Sequence, residues 1–182
     1  GDALQAFAFE LLTPDNTLIP AATQAALCRL LARAAGSAGM AGCQAIDLAS
    51  VGVALTEVQL RQMHRLKTGA LLQGSVLMGA LCGHAAPAAY QALSDYGAAM
   101  GLAFQVVDDV LDVTSTPEQL GKPIGSDSEN GKTTFVTLFG VDGAMQLAEK
   151  LNDETCTALR DAFGEKSAFL EQLARTLLNR RS

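Results

Sequence analysis

Phe104-Gln105-Val106-Val107-Asp108-Asp109-Val110-Leu111-Asp112 sets three carboxylates inside an apolar, helix-forming run. At about 3.6 residues per turn, Asp108 and Asp112 stack on one helix face, and Asp109 lies about 100° around from Asp108. Gln105 falls one turn before Asp108 on the same side. Acids this close repel one another, and burying them is costly unless something positive is bound. A hard divalent cation carrying a phosphate ligand, Mg²⁺ above all, would neutralise the cluster. A solvated acidic helix face is the bland reading of this spacing. The flanks FQVV and VL are too apolar for such a surface, which favours the metal.

Outward from this run the chain reads as helix after helix, with almost no strand signal. Upstream, Pro87 opens the helix that carries the acids. Before it, Thr56-Glu57-Val58-Gln59 has the form of a capping box and starts a long helix to about Cys82. Ser37–Ala49 is a short glycine-rich helix, Ala21–Ala35 another that starts from Pro20 and stops at Gly36, and Asp2–Leu12 an apolar helix halted by TPDNT. Downstream, residues 114–134 form a polar loop with three glycines and two prolines. Asp142–Phe163 and Ser167–Arg180 follow as two amphipathic helices. No repeat or linker interrupts the pattern, so the expectation is one all-α domain over residues 1–182.

Composition narrows the function. The 182 residues are 49% hydrophobic, enough for one helical domain with a sizeable core, and the net charge of −6 argues against a nucleic-acid surface. Aromatics are few, Trp is absent, and Ala and Gly are abundant, which suits helices packed closely through small side chains. Cys28, Cys43, Cys82 and Cys156 are scattered without a CxxC spacing, so they read as reduced core residues of a cytoplasmic protein rather than a zinc site or disulfide framework. No apolar stretch approaches the roughly 20 residues a membrane span needs.

Other polar groups stand inside helical patterns. Lys67-Thr68-Gly69 interrupts the long helix and places an ammonium, a hydroxyl and a residue without Cβ in succession, which suits close approach of a phosphate. A surface lysine beside a helix-packing glycine is the simpler reading of those three alone. Gln44 and Asp47, three apart among apolar neighbours, are either polar contacts near a ligand or a helix surface. The loop after the acids holds Lys122, Asp127, Glu129 and Lys132 among three glycines, and could close over a phosphate or simply be solvated. GSDSENGKT in that loop lacks the strand-to-helix context of a P-loop. His64 and His84 stand apart, form no metal-spaced pair, and receive no site.

Taken in order, GDALQAFAFELL, GMAGCQAIDLAS, KTGALLQGSVLMGA, FQVVDDVLD and GKPIGSDSENGKTTFVTLFG resemble the trans-polyprenyl diphosphate synthases, most of all the bacterial farnesyl and geranyl diphosphate synthases. The likeness spans essentially the whole chain. It implies an all-α isoprenoid-synthase bundle around a central cavity, a homodimer, and Mg²⁺ (or Mn²⁺) at the cavity mouth. Isopentenyl diphosphate and an allylic diphosphate, dimethylallyl or geranyl, would be the substrates. Asp108 resembles the main metal ligand of the family's second aspartate-rich motif, with Asp109 and Asp112 supporting metal-bound waters. Lys67 and Lys122 resemble lysines that clasp the allylic diphosphate, with Lys132 in the same charge cluster. Thr68 and Gln105 resemble groups whose oxygen dipoles face the reacting carbons, and Phe104 and Gln44 match as cavity and polar wall. Val136 stands where many relatives carry Pro.

Family members carry a first aspartate-rich motif with paired arginines before the motif that opens this sequence. The resemblance therefore implies the carboxy-terminal part of a synthase domain, incomplete at its amino terminus, exposing apolar surface and inactive by itself. The implied chemistry is ionisation, condensation and elimination. An allylic C–O bond breaks, the cation is kept from water, the isopentenyl double bond attacks, and a proton leaves to the released diphosphate. No Ser-His-Asp or Cys-His set is visible, and this chemistry requires none. A non-catalytic subunit of a heteromeric synthase and a terpene cyclase-like relative are the alternatives. The intact second motif counts against the first, and the KTG and GKPxGxD combination against the second.

Overall fold

A computed structural model describes residues 2–15, 17–50, 52–115 and 131–180. Every regular element among them is helical: α1 (Asp2–Leu12), α2 (Ala21–Ala35), α3 (Met40–Ala49), α4 (Glu57–His64), α5 (Ala70–Cys82), α6 (Pro87–Thr114), α7 (Phe135–Phe163) and α8 (Ala168–Leu178). None is long and apolar enough to cross a membrane.

The central element is α6, opened by Pro87 in its first turn. It packs against α5 on one side and α7 on the other, and α5 is covered in turn by α2. That position explains why α5, ALLQGSVLMGALC, is apolar nearly all round: a helix enclosed between two others has little face left for water. Small residues set the spacing. Gly97 of α6 lies against Gln73 of α5, where an added Cβ would stand 2.7 Å from the Gln73 Cα. The core has two centres along α6. Cys43, Leu60, Met63, Val106, Val107, Val110 and Phe135 surround one, and Tyr96, Met100, Cys156, Leu159 and Ala174 the other.

Two expected helices differ in their course. The capping box at Thr56 is present, with the Gln59 amide N–H bonded to Thr56 Oγ1 at 3.3 Å and the Thr56 N–H to Gln59 Oε1 at 2.9 Å. The helix it starts does not run uniformly to Cys82, however. It widens into a π-helical turn over Arg65–Gly69, the segment that holds Lys67-Thr68-Gly69. The helix expected from Asp142 begins at Phe135 instead. Thr134 and Thr137 cap it reciprocally, and a kink at Gly140 (φ 72°) separates this first turn from the amphipathic remainder. The periodicity read from Asp142 onward therefore missed the opening turn, which the Gly140 kink sets off from the rest.

The cysteine expectation holds only in part. Cys43 and Cys156 are buried, Cys28 is half-buried, and Cys82, at the last residue of α5, is exposed. An exposed apolar stripe, Leu4, Phe7 and Leu11, follows the i, i+3, i+7 spacing along α1.

Candidate functional site

A narrow polar pocket lies at the edge of the first core centre, where α3, α4, the wide turn, α6 and the start of α7 meet. Asp47, His64, Lys67, Gln105, Asp108, Asp109 and Lys132 line it, with Met63, Thr133 and Thr134. Each element delivers its residue for a local reason. On α3, Cys43 is fully buried and its thiol donates to the Met63 carbonyl at 3.1 Å, so Asp47, one turn on, faces the same way. Segment 131–134 is tied down by the Leu55 N–H, which donates to Thr133 Oγ1 at 2.9 Å. Lys132 is thereby brought next to Asp47.

The two lysines share one carboxylate. Lys67 Nζ stands 3.2 Å and Lys132 Nζ 3.4 Å from Asp47 oxygens. Burial pushes the Asp47 carboxyl up, but the two ammonium groups outweigh burial and hold it below the usual carboxylate range. Asp47 thus holds two ammonium groups side by side at one rim, which keeps a net positive charge.

In the same pocket, Asp108 and Asp109 take different environments although adjacent. Asp109 is buried, and its Oδ2 accepts from the Phe135 N–H at 2.7 Å, placing a carboxylate on the N-terminus of α7. Asp108 is half-exposed at the pocket edge and pairs with Arg180 at 3.2 Å. The Arg180 guanidinium lies 3.8 Å above the Phe104 ring and donates to the Phe104 carbonyl at 3.0 Å. Asp112, a full turn beyond Asp108, is buried.

The structure therefore brings together Lys67, Gln105, Asp108, Asp109 and Lys132 of the residues singled out from the sequence. Thr68 sits in the wide turn beside Lys67 without lining the pocket, and Phe104 serves as the platform for Arg180. Gln44 is exposed on α3, about 100° around the helix from buried Cys43. Lys122 lies outside the described residues.

Three members were not assigned to a site from sequence. Asp47, which the sequence leaves as either a polar contact near a ligand or part of a helix surface, lines the pocket. Arg180 offers no sequence signal, since its partner is 72 residues away. His64, an isolated histidine in the sequence, is drawn into the pocket by the fold: the residue is 5% exposed and its Nδ1 lies 3.0 Å from Gln105 Oε1. It stacks on Phe135, with centroids 5.5 Å apart. Burial pushes its pKa down to about 4, so the imidazole is neutral at physiological pH.

Among the described residues, no group of three or more His, Cys, Asp or Glu side chains is arranged to hold a metal. Asp108 nonetheless places hard carboxylate oxygens in the same pocket as the two lysines. Mg²⁺ characteristically binds through one or two carboxylates, with waters and substrate phosphates completing its shell, and the residues present fit that pattern.

Residues 1–173 match the polyprenyl synthetase family. The chain is 43% identical to a farnesyl diphosphate synthase of Geobacillus stearothermophilus over 147 residues, which are 80% of this chain and 50% of that protein. A farnesyl diphosphate synthase of Haemophilus influenzae is 37% identical over the whole of this chain and 61% of its own length. A solved geranyltransferase from Helicobacter pylori, complexed with magnesium and isoprenyl diphosphate, superposes with a TM-score of 0.81 at 34% identity, covering 98% of this chain and 57% of that one. The chain spans about half the length of the curated relatives it matches.

Proposed function

The chain belongs to the polyprenyl synthetase family, and from that premise we propose that the protein condenses isopentenyl diphosphate with dimethylallyl or geranyl diphosphate to give geranyl or farnesyl diphosphate. The observation that carries this reading is the convergence of Lys67, Lys132, Gln105 and Asp108 on one pocket from segments far apart in sequence. A pair of ammonium groups beside a carboxylate suits a diphosphate that binds together with a divalent cation.

Each group has a part. Lys67 and Lys132 receive the allylic diphosphate and stabilise the negative charge that grows on it as the C–O bond breaks. Asp47 keeps both lysines aimed at the pocket. Asp108 would hold Mg²⁺, with Asp109 and Asp112 in the water-orienting part that the family resemblance gives them. The bound ion supplies Lewis-acid neutralisation of the leaving group. Gln105 turns a polar dipole toward the reacting carbons. The apolar residues beneath, Val106 and Met63 among them, exclude water from a cation that would otherwise be hydrolysed. The same reading takes the active species to be a cytoplasmic homodimer.

The test is direct. Purified full-length protein with labelled isopentenyl diphosphate, geranyl diphosphate and Mg²⁺ should yield an acid-labile prenyl diphosphate, and chelation should stop the reaction. Failure to elongate any allylic primer in Mg²⁺ or Mn²⁺ would overturn the proposal.

A further inference from the structure

Nothing in the reaction outlined above uses the imidazole of His64, although it lines the same pocket as Gln105. The two side chains meet across 41 residues of sequence, and both are buried, at 5% and 6% exposure. A glutamine amide turns about a broad terminal torsion, and its two ends differ little in shape but oppositely in polarity. Left alone beside a developing cation, Gln105 could present N–H groups as readily as oxygen. Something must set its orientation.

We propose that His64 is the positioning residue for Gln105: its Nδ1–H donates to Oε1 and holds the amide in a single orientation at the reacting end of the pocket. The inference rests on the prenyl-transfer reading for its catalytic consequence, but the contact itself can be tested without it.

Three observations carry it. The ring cannot swing away, because Phe135 stacks on it at an interplanar angle of 27° and is itself wholly buried. Phe135 is anchored by its backbone N–H to Asp109. The ring also has one committed nitrogen. Its Nε2 has no hydrogen-bond partner among the described residues, and the facing Asp109 Oδ2, at 3.9 Å, is beyond hydrogen-bond reach. With the Gln105 carbonyl 3.0 Å from Nδ1, a proton on Nε2 would set lone pair against lone pair at Nδ1. Only turning the amide over would relieve that. Tautomer and amide orientation are therefore locked together, and the observed arrangement requires the proton on Nδ1. Finally, His64 is the last residue of α4, and the wide turn carrying Lys67 and Thr68 starts at the next residue. The segment that supplies the rim lysine thus also supplies the support for Gln105.

Long-range ¹H–¹⁵N NMR on the wild-type protein should show His64 with its proton on Nδ1 at neutral pH, and Gln105→Met should abolish that preference. Kinetics supply the second arm. His64→Leu keeps the bulk but donates nothing, and should lower kcat by at least about ten-fold while KM for both diphosphates stays within about two-fold. His64→Asn, whose amide nitrogen can stand where Nδ1 stood, should restore kcat to within about three-fold of wild type. An Nε2–H tautomer in the wild type, an unchanged kcat in His64→Leu, or equal impairment of the Asn and Leu variants would each overturn the proposal. Should His64→Leu fail to fold, the wild-type tautomer and the Asn variant still decide it. A wild-type protein without prenyl transfer would instead sink the functional reading, and the NMR result would stand separately.

Discussion

Replacing Gly101 by alanine tests whether the site depends on one close backbone approach. Gly101 lies on α6, one turn before Gln105, and faces Gly69 of the wide turn. A Cβ at 101 would stand 2.4 Å from the Gly69 Cα and 3.3 Å from its N, both backbone atoms with no side chain to rotate away. Ordinary contact begins near 3.4 Å, so the turn must retreat by about 1 Å. Overpacking of this kind costs about 1–3 kcal/mol, and a backbone obstacle puts it near the top of that range. Alanine's helix preference returns about 1 kcal/mol, leaving a net loss of about 2 kcal/mol. For a domain of this size that is a fall in Tm of roughly 4–8 °C. Gly79, on α5, is the control, because a Cβ there meets nothing within 4 Å. Gly79→Ala should gain up to about 1 kcal/mol. Urea titration followed by circular dichroism, with the slope m unchanged, reads both. The displaced turn also carries Lys67 two residues away, so a shift of about 1 Å should cut turnover by up to about 100-fold. Stability of Gly101→Ala within about 0.5 kcal/mol of wild type would refute the packing argument.

Other expectations concern the charged groups. Burial holds the His64 pKa near 4, below the roughly 6.5 of an unfolded histidine, so between these values the unfolded chain binds the extra proton. Stability from this group is complete above about pH 6.5 and lost as pH falls to about 4, by roughly 3 kcal/mol. His64→Asn should flatten that limb in denaturation curves measured across the window, and an unaltered limb would assign it to other groups. Asp108→Ala should lower turnover by orders of magnitude with little change in the circular dichroism spectrum, and near-normal turnover would remove Asp108 from the mechanism. Arg180→Gln removes a cation paired with Asp108, so Mn²⁺ binding followed by electron paramagnetic resonance should tighten by up to about five-fold. Weaker binding in that variant would mean that Arg180 supports the metal instead of competing with it. Lys67→Met should raise KM for the allylic diphosphate and lower kcat, and kinetics identical to wild type would exclude a diphosphate role.

Much of the helical course was legible because it depends on neighbours in sequence. The Thr56 box, Pro87 and the apolar spacing act within a turn or two, and these elements formed at or near the expected bounds. The start of α7 was hidden by Gly140, which breaks the 3.6-residue period between its first turn and the rest. At Lys67-Thr68-Gly69 the sequence marks an interruption of the long helix but not its form, since a five-residue π turn shares its composition with α-helix.

By itself the sequence determined the all-α class, the central helix with its three acids, and the polar groups that chemistry would select: Lys67, Gln105, Asp108 and Lys132. Its limit was the meaning of adjacency. Helix rotation already separates Asp108 from Asp109 in the sequence, but only packing decides which meets the pocket edge and which the N-terminus of α7. Asp47, His64 and Arg180 joined them only through packing, from 20 to 85 positions away from the groups they touch. Pairings across such distances are settled by which helices lie side by side, and that depends on the buried faces of the whole fold.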